Sequence, residues 1–327
     1  MRILVYDVAA QDGGAATILE KYYHQLTEDQ ENEYIFVLSL LRFPEKENAR
    51  MINLEWVKRS WFHRLFCDHI YMPRLVKKLG TDLVFSLQNM GIPHCKTPQK
   101  IYLHNVIPFT NYRFSFGKER FLWVYQNIIG RMICRSLKKA QSVIVQTQWM
   151  KDAVAEQCGI DRDRIQVERV ESAIIGEGTY AATEPVTFFY PAMPVAFKNH
   201  RTIVEACKIL KGKGIENYRV WFTFTEHENT ITEEVAAAAQ ENGLPIEMIG
   251  KQDHRQMVDR YCQSVLLFPS YLETVGLPLL EVQQFGSPII AADCAYARET
   301  VGTYDKVSFF SATNSGALAE CMERWIK

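Results

Sequence analysis

The chain has no C-x-x-C pair: its cysteines stand apart at Cys67, Cys95, Cys134, Cys158, Cys207, Cys262, Cys294 and Cys321. That scatter excludes a zinc knuckle and a dense disulfide framework, and it predicts reduced, mostly packed thiols in a cytosolic protein. No stretch approaches the roughly 18 apolar residues of a spanning helix. The opening MRILVYDVAAQDGG turns polar after Ala10, short of the apolar core that a signal peptide needs. Glycine (17) and proline (12) are too few for a collagenous or low-complexity chain. What is there is 327 residues, 47% hydrophobic and 23% charged, enough for a substantial core. At about 150 residues per domain, two folded domains are expected.

Net charge is −1, but it is unevenly spread. Residues 1–170 carry 24 Lys+Arg against 18 Asp+Glu, and residues 171–327 carry 13 against 20. Between 58 and 139 the ratio is 15 to 3, with aromatic residues interleaved in KRSWFHRLF and RFLWVYQNIIGRMICRSLKK. An anionic partner for the first half follows.

Apolar runs alternate with amphipathic stretches along both halves, the pattern of parallel strands with helical crossovers. Strands are expected at 2–8, 34–40, 82–86, 100–104 and 142–146, with helices at 15–27, 64–79, 118–139 and 148–157. A second set follows: strands at 186–190, 219–224, 245–249, 264–268 and 288–292, helices at 199–211, 231–242, 254–262 and 278–285. The segment ESAIIGEGTYAATE at 171–184 has two glycines, no helical period and few large apolar residues, so the domains are placed at 1–172 and 173–327. Two doubly wound Rossmann-like domains facing across a cleft are expected, with the function on loops that follow strands.

The richest segment is PSYLETVGLPLLE followed by PIIAADCAYARE. Pro278 suits a first helical turn, and the amides of Thr274, Val275, Gly276 and Leu277 before it can cradle a phosphate, Gly276 permitting close approach. Glu273 and Glu281 flank this turn as acceptors for sugar hydroxyls. Their spacing alone means little, because 38 acidic residues in 327 produce about four such pairs by chance. In context the segment resembles that of the family-4 retaining glycosyltransferases of the GT-B fold, whose C-terminal domain carries PS-x-x-E-G-F-G-L-P-x-x-E. The resemblance implies that Glu281 binds the ribose of a nucleotide sugar, that Glu273 lies beside the donor sugar, and that residues 274–277 supply amides. Thr274-Val275 stand where Gly-Phe is usual.

Further positions extend the resemblance. VTFFYPAMPVAFKNH resembles the family's strand–loop–helix segment in which an arginine and a lysine neutralise the donor pyrophosphate. Lys198 takes the lysine position; the arginine position holds Ala192, leaving Arg201 or Lys251 as replacement cations. Gly13-Gly14 after the first strand match the family's Gly-Gly loop, which the resemblance implies is donor-binding and faces donor and acceptor, and His104 at the end of IYLHN matches its strand-end histidine, which reaches the donor sugar. Thr147 reads as an N-cap. Asp161-Arg162-Asp163 spells D-x-D but lies in the polar loop GIDRDRIQV, so no metal is expected.

The resemblance implies transfer of a hexose or deoxyhexose from a nucleoside-diphosphate sugar, with retention and without cofactor, to a hydroxyl of a lipid-linked glycan in capsule or O-antigen synthesis. Lys198, Glu273 and His104 would be the catalytic groups. The basic, aromatic region 58–139 implies peripheral attachment to an anionic membrane, at the inner face of the cell membrane, rather than nucleic acid, for which no module is visible. Two other classes stay open: a nucleotide-sugar 2-epimerase or phosphorylase on the same fold, and an inactive glycan-binding or scaffold subunit.

Overall fold

The structure, a computed structural model, describes every residue of 1–327 except Asp12, Asn111, Lys118 and Ala173. It divides into two compact units, Met1–Arg169 and Val170–Lys327, each wound on one parallel sheet.

In the first unit the chain runs β1 (Arg2–Asp7), α1 (Gly13–Glu28), β2 (Glu33–Leu38), β3 (Ala49–Asn53), α2 (Trp61–Phe66), α3 (Met72–Leu79), β4 (Leu83–Ser86), β5 (Gln99–Leu103), α4 (Arg120–Val124), α5 (Gly130–Lys139), β6 (Ser142–Val145), α6 (Gln148–Cys158) and β7 (Ile165–Val167). The sheet order is β3-β2-β1-β4-β5-β6-β7. Both faces of β1 are covered, because successive side chains of a strand point to opposite sides. Leu4 and Tyr6 pack with Met72 and Val76 of α3, while Val5 packs with Leu19 and Tyr22 of α1.

The expected helices 64–79 and 118–139 are each interrupted by a π turn, at Cys67–Tyr71 and Tyr125–Ile129. An extra residue in a turn rotates the following helix against the sheet. Before the first turn Trp61, Phe62 and Phe66 face solvent; after it Met72 and Val76 are buried.

The second unit runs β8 (Val186–Tyr190), α7 (His200–Gly212), β9 (Tyr218–Phe222), α8 (Thr230–Asn242), β10 (Ile246–Met248), α9 (His254–Gln263), β11 (Val265–Phe268), α10 (Leu277–Gln283), β12 (Ile289–Ala292), α11 (Ala295–Val301), β13 (Val307–Phe310) and α12 (Ser315–Ile326). Its order is β10-β9-β8-β11-β12-β13. Strands β11 and β12, VLLF and IIAA, are buried at every position, which is why they read as unbroken apolar runs. Helices α8 and α9 start on reciprocal capping boxes, Asn229 with Thr232 and Asp253 with Gln256. Strands β3, β7 and β13 went unpredicted because only one residue in each is buried, leaving little apolar pattern.

One expectation is corrected. Cys134 and Cys158 are joined in a disulfide, with Cα atoms 5.1 Å apart, stapling α5 to α6. Nothing in a 24-residue separation signals that pairing; the packing of the two helices creates it. The other cysteines are thiols. Among the described residues no helix is long and apolar enough to cross a membrane.

His200, first residue of α7, is 1% exposed, with ring contacts of 4.8–5.2 Å to Tyr190, Phe222 and Phe224 and neither ring nitrogen hydrogen-bonded. Burial, aided by the charge of Lys198 and weakly opposed by the Ala192 backbone, pushes its pKa down to about 3. The unfolded chain therefore binds a proton that the folded one refuses, so stability is lost as pH falls below the unfolded pKa near 6.5. Urea unfolding at pH 7, 5.5 and 4.5 is expected to show the wild type losing up to about 1.4 kcal/mol per pH unit more than His200→Leu. Parallel pH profiles would remove His200 as the cause.

Candidate functional site

Strands β8 and β11 are neighbours, with Val265 opposite Phe188 and Leu266 opposite Phe189, yet the sheet grows from them in opposite directions. At such a switch point the loops leaving the carboxyl ends diverge and open a crevice. The loop after β8 carries Lys198 and the loop after β11 carries Glu273, and the two side chains form an ion pair.

The pair is largely out of water, the side chains 17% and 15% exposed. Lys198 Nζ lies 6.0 Å from the ring centres of Phe197 and Phe268. Its backbone is held as well: the Tyr190 hydroxyl donates to the Lys198 carbonyl (2.8 Å). Ser270 Oγ (3.3 Å) and the Tyr271 amide (3.2 Å) both donate to the Phe197 carbonyl. Burial, and then the charge of Glu273, raise the pKa of the Tyr190 and Tyr296 hydroxyls, keeping both as donors.

The turn 274–277 runs from Glu273 into α10. Gly276 is the N-cap at φ 77°, ψ 66°, and an added Cβ there would meet Phe268, Leu279 and Tyr296 at 3.1–3.2 Å. Glycine is needed for its left-handed backbone and for close packing, besides any approach of a ligand. Val275 is buried and its carbonyl accepts from Thr300 Oγ1 (2.6 Å), so the residue standing where phenylalanine is usual serves the core. Leu277 opens the helix and Pro278 follows within the first turn, as expected.

Glu281 sits one turn along α10, 7% exposed, its Oε2 accepting from the Tyr261 hydroxyl at 2.5 Å. Burial raises its pKa, partly offset by Tyr261 and by His254. Tyr261, itself fully buried against Phe189 and Phe285, thus orients the carboxylate and leaves Oε1 to other donors.

Gly13, Gly14 and His104 lie in the first unit. Gly13 starts α1 at φ 59°, and space is open around both glycines. His104 directly follows β5; its backbone N–H donates to Asn89 Oδ1 (2.8 Å) and its Nε2 lies 3.3 Å from Asn89 Nδ2. With the amide donating, the ring proton is on Nδ1, which has no partner. Burial lowers its pKa to about 4, so the ring is neutral at pH 7. Asp7, at the end of β1, was not anticipated. Its Oδ1 accepts from the amides of Ala9 (3.1 Å) and Ala10 (3.0 Å), its Oδ2 is buried without a partner, and burial pushes its pKa up to about 6.

The structure places the remaining sequence candidates as follows. Ala192 is buried, and the Arg201 guanidinium pairs with Glu234 across α7 and α8 with both side chains exposed. Lys251 follows β10, two strands away from β8, and so lies off the switch point. Asp161 caps the short turn Arg162–Arg164, and Arg162 pairs with Asp152 at 2.5 Å. Thr147 occupies the N-cap of α6 with extended backbone. Asn199, Tyr190, Tyr261 and Tyr296 also support the site; of these only Asn199, an asparagine between a lysine and a helix start, carries a local sequence signal.

With this geometry in place, residues 174–327 match the family model of the glycosyl transferases group 1. By sequence, no curated protein matches the chain. Similar solved structures include sucrose-phosphate synthase from Thermosynechococcus elongatus, with TM-score 0.71 and 15% identity, covering 99% of this chain and 88% of that one. HepE of Anabaena in complex with UDP and glucose has TM-score 0.66 and 14% identity, covering 100% and 90%. WaaG, a glycosyltransferase involved in lipopolysaccharide biosynthesis, has TM-score 0.69 and 12% identity, covering 100% and 90%. The fold is that of GT-B glycosyltransferases.

Removing one member of a shielded ion pair leaves the other charge uncompensated, whereas removing both does not. Urea unfolding of Lys198→Met, Glu273→Gln and the double variant is expected to give a coupling energy of about 1–3 kcal/mol. Additive single effects would show that the two charges do not depend on each other.

Proposed function

We propose that this chain, whose second unit is a glycosyl transferases group 1 domain, moves a hexose or deoxyhexose from a nucleoside-diphosphate sugar to a hydroxyl of a glycan. The observation that carries the reading is the shielded Lys198–Glu273 pair at the β8/β11 switch point, with the turn 274–277 and Glu281 following it in the same loop and helix.

In this reading Glu281 accepts the ribose hydroxyls through the oxygen that Tyr261 leaves open. Lys198 exchanges Glu273 for the diphosphate, and Glu273 turns to hydroxyls of the donor sugar. The bond between the anomeric carbon and the phosphate oxygen breaks while the acceptor oxygen bonds to that carbon on the same face. The acceptor proton passes to the leaving phosphate oxygen, so configuration is retained. Charge grows on the diphosphate as the bond breaks, and a fixed ammonium stabilises that state more than the bound donor. Lys198 supplies the cation, so the reading invokes no metal.

The first unit is assigned the acceptor, and His104 a hydrogen bond from its neutral N–H to the donor sugar. A lipid-linked acceptor fits its surface: Trp61, Phe62, Phe66, Phe116, Phe121 and Ile128 are exposed within the segment where basic residues outnumber acidic ones 15 to 3. Exposed aromatics among cations suit an anionic bilayer. The likeness to WaaG is consistent with a role in surface polysaccharide synthesis. The rival reading, a non-catalytic glycan-binding subunit, draws on Ala192 and on the commitment of Arg201 to Glu234.

A screen of UDP, GDP and TDP sugars with a lipid-pyrophosphate disaccharide, read as released nucleoside diphosphate, is expected to identify one donor. Activity should survive EDTA, and Lys198→Ala should lower kcat about 10²–10³-fold. No release and no calorimetric binding of any donor would favour the scaffold. The wild type should also co-sediment with phosphatidylglycerol vesicles and not with phosphatidylcholine vesicles, and Trp61→Asp/Phe62→Asp should abolish this. Equal binding to both lipids would remove the electrostatic part of the membrane reading.

A further inference from the structure

Between Lys198 and His200 the chain passes through Asn199 with φ 63° and ψ 37°, one of three non-glycine residues with positive φ among the described residues. Most side chains disfavour this conformation, which asparagine tolerates and glycine adopts at no steric cost. It reverses the chain from the turn Ala196–Lys198 into α7, so it fixes how the turn that carries Lys198 is joined to the helix.

A glycine would meet that backbone demand. The asparagine side chain does something further. Its Nδ2 donates to the carbonyls of Pro269 (3.2 Å) and Ala312 (2.8 Å), and its Oδ1 accepts from Thr202 Oγ1 (2.8 Å). Both amide protons and the carbonyl oxygen are used, each on a different segment: the loop after β11, the stretch between β13 and α12, and the first turn of α7. Pro269 begins the loop that ends at Glu273. Asn199 therefore ties the backbone next to Lys198 to the backbone that carries its partner, alongside the Ser270 and Tyr271 bonds to Phe197.

We infer that Asn199 is a positioning residue that fixes Lys198 relative to the Glu273 loop, holding the ammonium where the diphosphate must be met. The role in turnover rests on the proposed transferase reading; the positioning itself does not. Long lysine side chains carry large rotamer freedom, and a cation useful in a transition state has to be held to well under an ångström, since about 1 Å of misplacement can cost about 100-fold. The rings of Phe197 and Phe268 flank the Lys198 ammonium, and Asn199 holds the backbone next to it.

The test begins without any substrate. Asn199→Gly keeps the left-handed backbone and deletes the three side-chain bonds. The coupling energy between Lys198 and Glu273, measured by urea unfolding of Lys198→Met, Glu273→Gln and the double variant, is expected to fall by at least half when Asn199→Gly is introduced into all four proteins. An unchanged coupling overturns the inference, whether or not the protein proves to be a transferase. Should Asn199→Gly fail to fold, Thr202→Val, which removes one bond to the same amide, is expected to lower the coupling in the same direction by a smaller amount; no change overturns the inference equally. With an active donor identified, Asn199→Gly should lower kcat about 10- to 100-fold with donor KM changed less than about threefold. It should add nothing further in a Lys198→Ala background. An equal loss in both backgrounds would show that Asn199 acts on structure generally and not through Lys198.

Discussion

Two opposite charges, Lys198 and Glu273, are drawn out of water at the point where the second sheet reverses direction, and much of the surrounding architecture answers to that. Desolvating an ammonium and a carboxylate costs several kcal/mol for each ion, and their attraction offsets it only when geometry and neighbouring hydrogen bonds are good. The neighbours supply both. Phe197 and Phe268 wall the ammonium, Tyr190 and Ser270 hold the backbone beneath it, and Asn199 closes the turn. In the proposed reaction the donor diphosphate takes the place of one member of this pair, so the cation meets it already dehydrated and oriented. Electrostatic stabilisation prepared in this way needs no reorganisation when charge develops.

Burial also sets protonation states elsewhere. His104 is held neutral by a pKa of about 4 and His200 by one of about 3, while the Asp7 carboxyl rises to about 6. The three differ in consequence. His200 is enclosed by rings within the second unit, and its effect falls on folding. His104 and Asp7 stand at the carboxyl ends of β5 and β1, where an open parallel sheet receives ligands. A neutral imidazole there can donate a hydrogen bond without adding charge.

The two units also differ in the surface they present. The first is basic and displays aromatic side chains on helices whose registers are reset by π turns. Those turns let one helix expose Phe62 and Phe66 before the irregularity and bury Met72 and Val76 after it. The second unit is acidic, and the aromatics packed around its β8, β9 and β11 are buried. In the proposed reading, this asymmetry suits one half to an anionic surface and the other to a ligand whose charge is met by Lys198.

Much of this was legible in the residues. Buried parallel strands such as VLLF and IIAA read as apolar runs because both faces are covered, so the two-sheet architecture follows from pattern. The short run PSYLETVGLPLLE marked Glu273, Gly276 and Glu281 because loop, cap and helix start are all local matters. Contacts across the fold were not legible. The disulfide between Cys134 and Cys158 depends on how two helices pack, and the commitment of Arg201 to Glu234 on which face α8 presents. The union of Lys198 with Glu273, 75 residues apart, depends on β8 and β11 becoming neighbours. Local chemistry is written along the chain and can be read there, but a partner's identity is a statement about distance in space, which only the strand order decides.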